Sequence, residues 1–180
     1  MEHINKTEYN FDVPRLIQEV NDITKTVSFA EYDNQICVTQ RPGAKDPIRD
    51  GYGILWSEEE KKFRASETEF TEINPLFKDT YIAEIIETLP INCGRVRIIN
   101  LVPKYVYRFH KDMEMRYHLA LITNPNAWII YRDKPPYHIP ADGHLYSMDA
   151  TKRHTAINLG NESRVHLVFN EINEEYWASL

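Results

Sequence analysis

The feature that most constrains the fold of this chain is a series of short β-rich segments that begins at Arg95. Each segment is rich in β-branched and aromatic residues, turn-forming residues separate the segments, and no helical periodicity interrupts the series. The segments cover residues 96–102, 105–110, 117–123, 127–131, 144–148, 155–159 and 165–172. Such a succession of short strands predicts a β-sandwich or a β-barrel.

The first 93 residues follow a different pattern, in which two helical segments accompany two short strands. Asp12 is a suitable N-cap for a helix whose apolar residues recur at helical spacing as far as Ile23. A second helix is predicted from the cap at Asn74, with Pro75 at its first position, to the stop at Pro90. The strands are predicted at residues 35–40 and 51–56.

The length of the chain favours one domain. Its 180 residues, 42% of them hydrophobic, are enough for one well-buried core and few for two. We therefore expect a single domain over residues 1–180. In it, residues 1–93 supply helical and β support and the substrate loops, and residues 94–172 form the β core with a metal site.

Charge and cysteine content limit the partners of this protein. A net charge of -6 argues against nucleic acid, which requires clustered Lys and Arg. No stretch of 18 apolar residues that could span a membrane occurs, and Cys37 and Cys93 lack the spacing of a zinc or redox motif. We expect a cytoplasmic protein without nucleic-acid or membrane partners, and the sequence leaves its oligomeric state open.

Three residues form a candidate metal site. His110 and Asp112 are two positions apart, so on a strand both side chains would point to the same face. His154 would add a third ligand from a segment that is distant in sequence. Two histidines and one carboxylate can occupy one face of an octahedral Fe(II) ion and leave positions open for a cosubstrate and dioxygen.

A candidate anion site follows the last of these residues. Arg164 lies ten positions after His154, beyond a turn, at the start of a returning strand. Strand geometry puts Arg164 on the order of 15 Å from His154, a gap that a long side chain and an elongated dicarboxylate can span. Period-two alternation places His166 on the face of Arg164, and likewise groups Arg116 with His118.

From Gly94 to Asn170 the chain resembles the aspartyl/asparaginyl β-hydroxylase family of Fe(II)- and 2-oxoglutarate-dependent dioxygenases. The resemblance depends on an ordered series of motifs and not on one of them alone. They are an Arg-containing strand (Gly94-Arg95-Val96-Arg97), Leu101-Val102-Pro103, the metal histidine, Arg116-Tyr117-His118-Leu119, and the ending His154, Asn158, Arg164.

The resemblance implies a fold, cofactors and residue roles. It implies a mainly β fold with flanking helices, namely the double-stranded β-helix, or jelly roll, of cupin-like proteins. His110 and His154 would bind Fe(II), with Asp112 completing the triad of the small amino-acid hydroxylases. Arg164 would bind the distal carboxylate of 2-oxoglutarate, and Arg116 and His118 would line the same pocket.

The implied reaction is hydroxylation of an unactivated C–H bond with O2, coupled to conversion of 2-oxoglutarate to succinate and CO2. A free amino acid, a peptidyl residue or another metabolite remains open as the substrate. Arg41, Arg49 and Arg132 are candidates for holding a substrate carboxylate. Two alternatives are a jelly-roll module that binds metal or ligand without catalysis, and a different metal-dependent cupin enzyme that would not need Arg164.

Overall fold

The computed structural model describes residues 2–180, and β-strands dominate it. In chain order the strands are β1 (Ile4–Asn10), β2 (Gln35–Cys37), β3 (Thr39–Gln40), β4 (Trp56–Ser57), β5 (Lys62–Phe63), β6 (Glu72–Ile73), β7 (Cys93–Leu101), β8 (Tyr105–Val106), β9 (Arg116–Ile122), β10 (Ala127–Tyr131), β11 (His144–Met148), β12 (His154–Asn158) and β13 (Arg164–Glu171). The helices are α1 (Val13–Thr24), α2 (Tyr81–Thr88) and α3 (Glu174–Ala178), with 3-10 turns at Phe29–Tyr32, Glu67–Glu69 and Pro75–Phe77.

Two antiparallel sheets carry the fold. The larger has six strands in the order β1-β11-β9-β13-β7-β2, and the smaller has three in the order β10-β12-β8. Two further strand pairs, β3-β6 and β4-β5, lie in the first half of the chain. Because β1 and β2 are the edge strands of the larger sheet, that sheet combines segments from both halves of the sequence.

Helices α1 and α2 cover one face of the larger sheet. Leu16 of α1 and Ile82 of α2 are fully buried against residues of the central strands, among them Ile98, Leu167 and Phe169. Burial of side chains of this size contributes about 1.5–3 kcal/mol each to folding. We call this face the helix-covered face, and it holds the main apolar core.

The opposite face of the larger sheet looks toward the smaller sheet. A second apolar cluster joins the two sheets, with Leu101 and Met148 from the larger one and Ile129 and Ala156 from the smaller one. Beside this cluster the same face carries buried polar residues. We call it the cavity face.

The expected two-sheet arrangement is confirmed, and strands β10 and β11 have the predicted bounds. Three expectations about strands were wrong. The predicted strand over residues 51–56 is a turn-rich loop, of which only Trp56 is in a strand, as the first residue of β4. Strand β1 is absent from the predicted series, because its sequence is mostly polar and only Ile4 is buried. The predicted strand over residues 105–110 pairs regularly only at Tyr105–Val106, and His110 continues it as an isolated bridge to His154.

The second helix is interrupted, where one continuous helix was predicted. Asn74 caps only a 3-10 turn, and Asp79 then adopts a left-handed conformation with φ 61°. A new helix begins after Thr80, where the carboxylate of Glu19 from α1 accepts hydrogen bonds from the free amides of Tyr81 and Ile82. The contact between the two helices therefore adds a start signal to the local N-cap, Thr80, whose hydroxyl oxygen accepts from the amide of Ala83.

No helix within residues 2–180 is long and apolar enough to cross a membrane.

Candidate active site

The backbone brings three predicted metal residues together where the two sheets meet. His110 and His154 exchange a pair of backbone hydrogen bonds of 2.9 and 2.8 Å, which fixes the two strand ends side by side. The amide of Asp112 donates to the carbonyl of Ala150 at 2.8 Å, so the chain after His110 is also held. Residues that are more than 40 positions apart in sequence thus form one cluster.

The donor atoms of this cluster converge. Nε2 of His110 lies 3.9 Å, and Nε2 of His154 lies 3.7 Å, from Oδ2 of Asp112. One ligand atom from each residue lies within 4.8 Å of the other two. Two imidazoles and one carboxylate on one side of a centre are the donor set that non-haem Fe(II) oxygenases use.

Both histidines are oriented by their second ring nitrogen. Nδ1 of His110 lies 2.8 Å from the carbonyl oxygen of Arg108, and Nδ1 of His154 lies 2.8 Å from that of Lys152. A carbonyl can only accept, so each Nδ1 carries the proton and each Nε2 presents its lone pair. Burial lowers the pKa of His154 to about 4, which keeps the ring neutral and able to bind a metal ion.

Asp112 shows that the cluster fits a cation. Its Oδ1 accepts an ion-paired hydrogen bond of 2.7 Å from Arg116, whereas its Oδ2 is buried and has no hydrogen-bond partner. An unpartnered buried carboxylate oxygen is costly unless a ligand satisfies it. The free oxygen is the one that faces both Nε2 atoms, so these residues fit an Fe(II) ion.

Arg164 is fixed at the start of β13 by Asn158. The Asn158 side chain donates to the carbonyls of Leu101 and Glu162, at 2.9 and 2.8 Å, and accepts from the amide of Gly160. These bonds tie β12 to the turn before β13. The sequence ending His154, Asn158, Arg164 therefore acts as one structural unit.

The Arg164 side chain lies on the cavity face and is buried at 4% exposure. No carboxylate in the described part of the chain forms an ion pair with it, and its Nη2 donates to Nδ1 of His166 at 2.9 Å. Burial lowers the pKa of the guanidinium to about 10, which leaves it charged at neutral pH. A buried cation without a counter-ion indicates an anionic ligand.

His118 and His166 lie between Arg164 and the three candidate metal ligands, His110, Asp112 and His154. Burial and the positive charge of Arg164 hold the pKa of both imidazoles well below the usual value, so both are neutral. Because Nδ1 of His166 accepts from Arg164, His166 carries its proton on Nε2. The Nδ1 atoms of the two rings lie 3.4 Å apart, and the Nε2 atoms of both rings are buried without a hydrogen-bond partner, which indicates a polar ligand beside the rings.

The structure therefore brings all six predicted site residues together beside the cavity face of the larger sheet, with one difference in detail. Arg116, predicted to line the cosubstrate pocket, uses one nitrogen to hold Asp112, and its buried Nε has no partner. Arg41 and Arg49, candidates for a substrate carboxylate, instead pair with Asp50 and Asp33 at 2.7 and 3.1 Å.

Arg132, the third such candidate, lies over the ring of Phe109 at 5.8 Å. Two buried residues of the cavity face, Arg97 and Asn170, were assigned no role in the sequence analysis. The Arg97 side chain donates to Oδ1 of Asn170 at 3.3 Å. The available signal was the placement of Arg95 and Arg97 at alternate positions of an otherwise Val- and Ile-rich strand. Charged residues at such spacing in a buried strand line a polar face.

Three solved structures share the fold. An oxidoreductase of the 2OG-Fe(II) oxygenase family from Burkholderia pseudomallei is 14% identical, with a TM-score of 0.52, over 93% of this chain and 83% of that one. A Pseudomonas putida prolyl-4-hydroxylase is 11% identical, with a TM-score of 0.52, over 96% and 94%. A non-heme monooxygenase solved as a nickel complex is 10% identical, with a TM-score of 0.50, over 95% and 74%.

These similarities confirm the predicted jelly-roll fold. No curated protein sequence matches the chain. A family model for aspartyl/asparaginyl beta-hydroxylase matches residues 15–173, which is most of the sequence. The cofactors of this class are Fe(II), 2-oxoglutarate and O2. The chain thus belongs to the aspartyl/asparaginyl beta-hydroxylase family of 2-oxoglutarate- and Fe(II)-dependent oxygenases.

Proposed function

We propose that His110, Asp112 and His154 bind the Fe(II) of this hydroxylase and that Arg164 binds the distal carboxylate of 2-oxoglutarate. His118 and Arg116 flank the cosubstrate between these two points. The substrate is a small molecule or a peptidyl residue with an unactivated C–H bond. The observation that carries the proposal is the convergence of two Nε2 atoms on an unpartnered carboxylate oxygen.

The assignment of Arg164 to the distal carboxylate of 2-oxoglutarate depends on the charge and the position of its side chain. Arg164 and the three candidate metal ligands lie at opposite ends of a line that passes His118 and His166. A dicarboxylate that chelates a metal ion with its keto-acid end extends its other carboxylate away from the ion. Arg164 meets that carboxylate with a charge that no residue of the described chain neutralises.

In this proposal the residues of the protein bind and orient Fe(II) and 2-oxoglutarate, and they exclude water from the site. When bound, Fe(II) and 2-oxoglutarate supply the oxidation, which couples loss of CO2 from the cosubstrate to oxygen insertion into a C–H bond. Arg116 fixes the rotamer of Asp112, and the carbonyls of Arg108 and Lys152 fix the two imidazoles. Such preorganised ligands lose little freedom on binding.

The test is an anaerobic addition of Fe(II) and then 2-oxoglutarate to the purified protein. We expect a weak visible charge-transfer band from a chelated keto acid, and we expect none in His110→Ala. Arg164→Met should bind Fe(II) normally and need about 10–100-fold more 2-oxoglutarate, since charged hydrogen bonds contribute about 1.5–3 kcal/mol. Arg49→Met, which removes an exposed arginine paired to Asp33, is the matched control.

Two outcomes would contradict the proposal. Iron binding without the band, in the presence of 2-oxoglutarate, would remove the cosubstrate assignment and favour a metal-binding module. An unchanged 2-oxoglutarate requirement in Arg164→Met would remove Arg164 from the cosubstrate pocket.

We also propose that residues 1–180 form one domain, which limited proteolysis tests. We further propose that the protein acts in the cytoplasm, which cell fractionation tests.

A further inference from the structure

Arg97 is a second buried arginine of the cavity face that has no counter-ion. It is 2% exposed, and within residues 2–180 no carboxylate forms an ion pair with it. Its Nη atoms donate only to neutral acceptors, namely Oε1 of Gln35 at 3.1 Å, Oδ1 of Asn170 at 3.3 Å and the carbonyl of Gly53 at 3.4 Å. Its Nε is buried and has no partner.

The neighbouring arginines differ from Arg97 in this respect. Arg95 pairs with the buried carboxylate of Glu67 at 2.6 Å, and Arg116 pairs with Asp112 at 2.7 Å. Burial and these two arginines lower the pKa of Arg97 to about 9, so it still carries its charge at neutral pH. The Glu67 carboxylate also acts on Arg97, but from beyond ion-pair distance, because it pairs with Arg95. A desolvated charge without an ion-pair partner is expensive, and an anionic ligand compensates it.

Arg97 and Arg164 serve different positions in the cavity. The Arg164 guanidinium donates a hydrogen bond to His166, and the Arg97 guanidinium donates one to Asn170. These two acceptor residues are four positions apart on β13. Four residues of a strand span about 13 Å at roughly 3.3 Å each. One carboxylate therefore cannot engage both guanidinium groups at these positions.

Arg97 lies toward the end of the cavity face at which the candidate metal ligands are, which we call the metal end. Its acceptor Asn170 pairs across the sheet with Arg116, the residue that fixes Asp112. Arg97 itself is opposite Val168, which in turn is opposite His118. Arg97 is thus one strand spacing from β13, the strand of Arg164, and two strand spacings, or about 10 Å, from His118.

We propose that Arg97 binds the carboxylate of the substrate, and that the substrate is a small free carboxylic acid. This inference rests on the proposed function, because it takes the metal end and Arg164 as occupied by Fe(II) and 2-oxoglutarate. The small size follows from burial, since Gln35 and the carbonyl of Gly53 lie against the guanidinium and leave 2% of the residue exposed. An internal residue of a polypeptide cannot bring its two chain ends through such an opening.

The test observes Arg97 directly. In 15N-labelled apoprotein the Nε–H group of a buried arginine gives its own NMR signal, and Arg97→Lys identifies the signal of Arg97. Propionate should shift this signal to saturation at millimolar concentration, the range expected for such a small ligand. Propionamide and chloride at equal ionic strength should leave it unmoved, since neither offers a bidentate carboxylate.

A second measurement connects the site to turnover. Free L-amino acids and their carboxamides are added with Fe(II), 2-oxoglutarate and O2, and succinate release above the unstimulated rate is recorded. Any acid that stimulates release should lose its effect by at least about tenfold as the amide and in Arg97→Met. Arg97→Met and the control Arg49→Met should both keep the 2-oxoglutarate-dependent charge-transfer band. Arg97→Lys keeps the charge and tests whether the loss is only a failure to fold.

Three results would overturn the inference. One is an Arg97 signal that does not respond to propionate, and another is a signal that responds equally to propionamide. The third is loss of the charge-transfer band in Arg97→Met, which would make Arg97 a cosubstrate ligand. If the band is absent from the wild-type protein while propionate shifts Arg97, the proposed function has failed and the anion site stands.

Discussion

The two faces of the larger sheet are made by the same strands and differ in almost every property. On β7, β9 and β13, neighbouring residues point to opposite sides. The helix-covered face carries Ile98, Leu119, Leu167 and Phe169, and the cavity face carries Arg97, His118, Arg164, His166 and Asn170. Both sets are buried, so burial alone does not separate stability from function in this protein.

The difference lies in what satisfies each set. Apolar side chains on the helix-covered face are satisfied by each other and by α1 and α2. The cavity face keeps two arginines without carboxylate partners and several buried nitrogens without hydrogen bonds. Such groups cost folding free energy until ligands arrive, so substitutions on the two faces should have opposite effects on stability and binding.

The largest expected effect on stability is on the helix-covered face. Phe169 is fully buried, and Phe169→Ala should lower the free energy of unfolding by about 3–5 kcal/mol, because a large cavity remains. Urea denaturation measures this change, and Phe109→Ala, at a partly exposed site, is the matched control. At low denaturant the folded fraction of Phe169→Ala should bind 2-oxoglutarate as the wild type does. A weakened affinity there would mean that the two faces are not independent.

A smaller effect, on both stability and 2-oxoglutarate binding, is expected from substitution of Asn158. Its side chain holds the turn before Arg164 through bonds to Leu101 and Glu162. Asn158→Ala leaves two carbonyls without these partners, at about 1–3 kcal/mol in stability for buried groups. It should also weaken 2-oxoglutarate binding, since Arg164 loses its fixed position. Asn126→Ala, an exposed asparagine in the neighbouring turn, should change neither property in denaturation and binding experiments.

Arg164→Met should separate the two properties. Removing an uncompensated buried charge should leave the free energy of unfolding unchanged or raise it by about 1 kcal/mol. The same substitution should weaken cosubstrate binding, which the titration described above measures. A clear loss of stability in urea denaturation, without ligands, would mean that Arg164 has a structural partner after all, and that the cavity face is not the costly one.

The comparison of the faces also explains what the sequence could predict. Local signals were sufficient for strands β10 and β11, for the cap of α1 at Asp12, and for the grouping of Arg164 with His166 on one face. The three candidate metal ligands could be selected because their types and order are typical of one chemistry, and the structure brings them together, while their binding of iron stays a prediction. These properties depend on residues near each other in sequence or on a fixed motif.

Other features depend on partners that are distant in sequence. Strand β1 forms because β11 offers it a free edge, although its own residues are polar. The first turn of α2 depends in part on Glu19 in another helix, which accepts from two of its free amides. The role of Arg97 depends on which face of β7 meets the cavity, and period-two alternation leaves the two buried faces of a central strand equivalent.

The smallest expected effect concerns the pH dependence of stability. His166 is buried and neutral in the folded protein, and its pKa is held well below the usual value of 6.5. In the unfolded chain the same ring takes up a proton as the pH falls through about 6.5. The unfolded state then binds more protons than the folded state, so His166 lowers stability as the pH falls.

For one histidine the loss is about 0.7 kcal/mol between pH 7 and pH 6, if the folded ring stays neutral. Glu114 acts in the opposite sense, because burial raises its pKa to about 7 and the folded state gains a proton first. The total pH profile therefore hides both effects, and the difference between His166→Gln and wild type isolates one. Gln keeps an acceptor for Arg164. The difference in the free energy of unfolding between the two proteins should be constant near pH 8 and should change in favour of the variant toward pH 6. Parallel curves would mean that the folded ring takes up its proton at the same pH as the unfolded one, which would contradict a buried neutral His166 that accepts from Arg164.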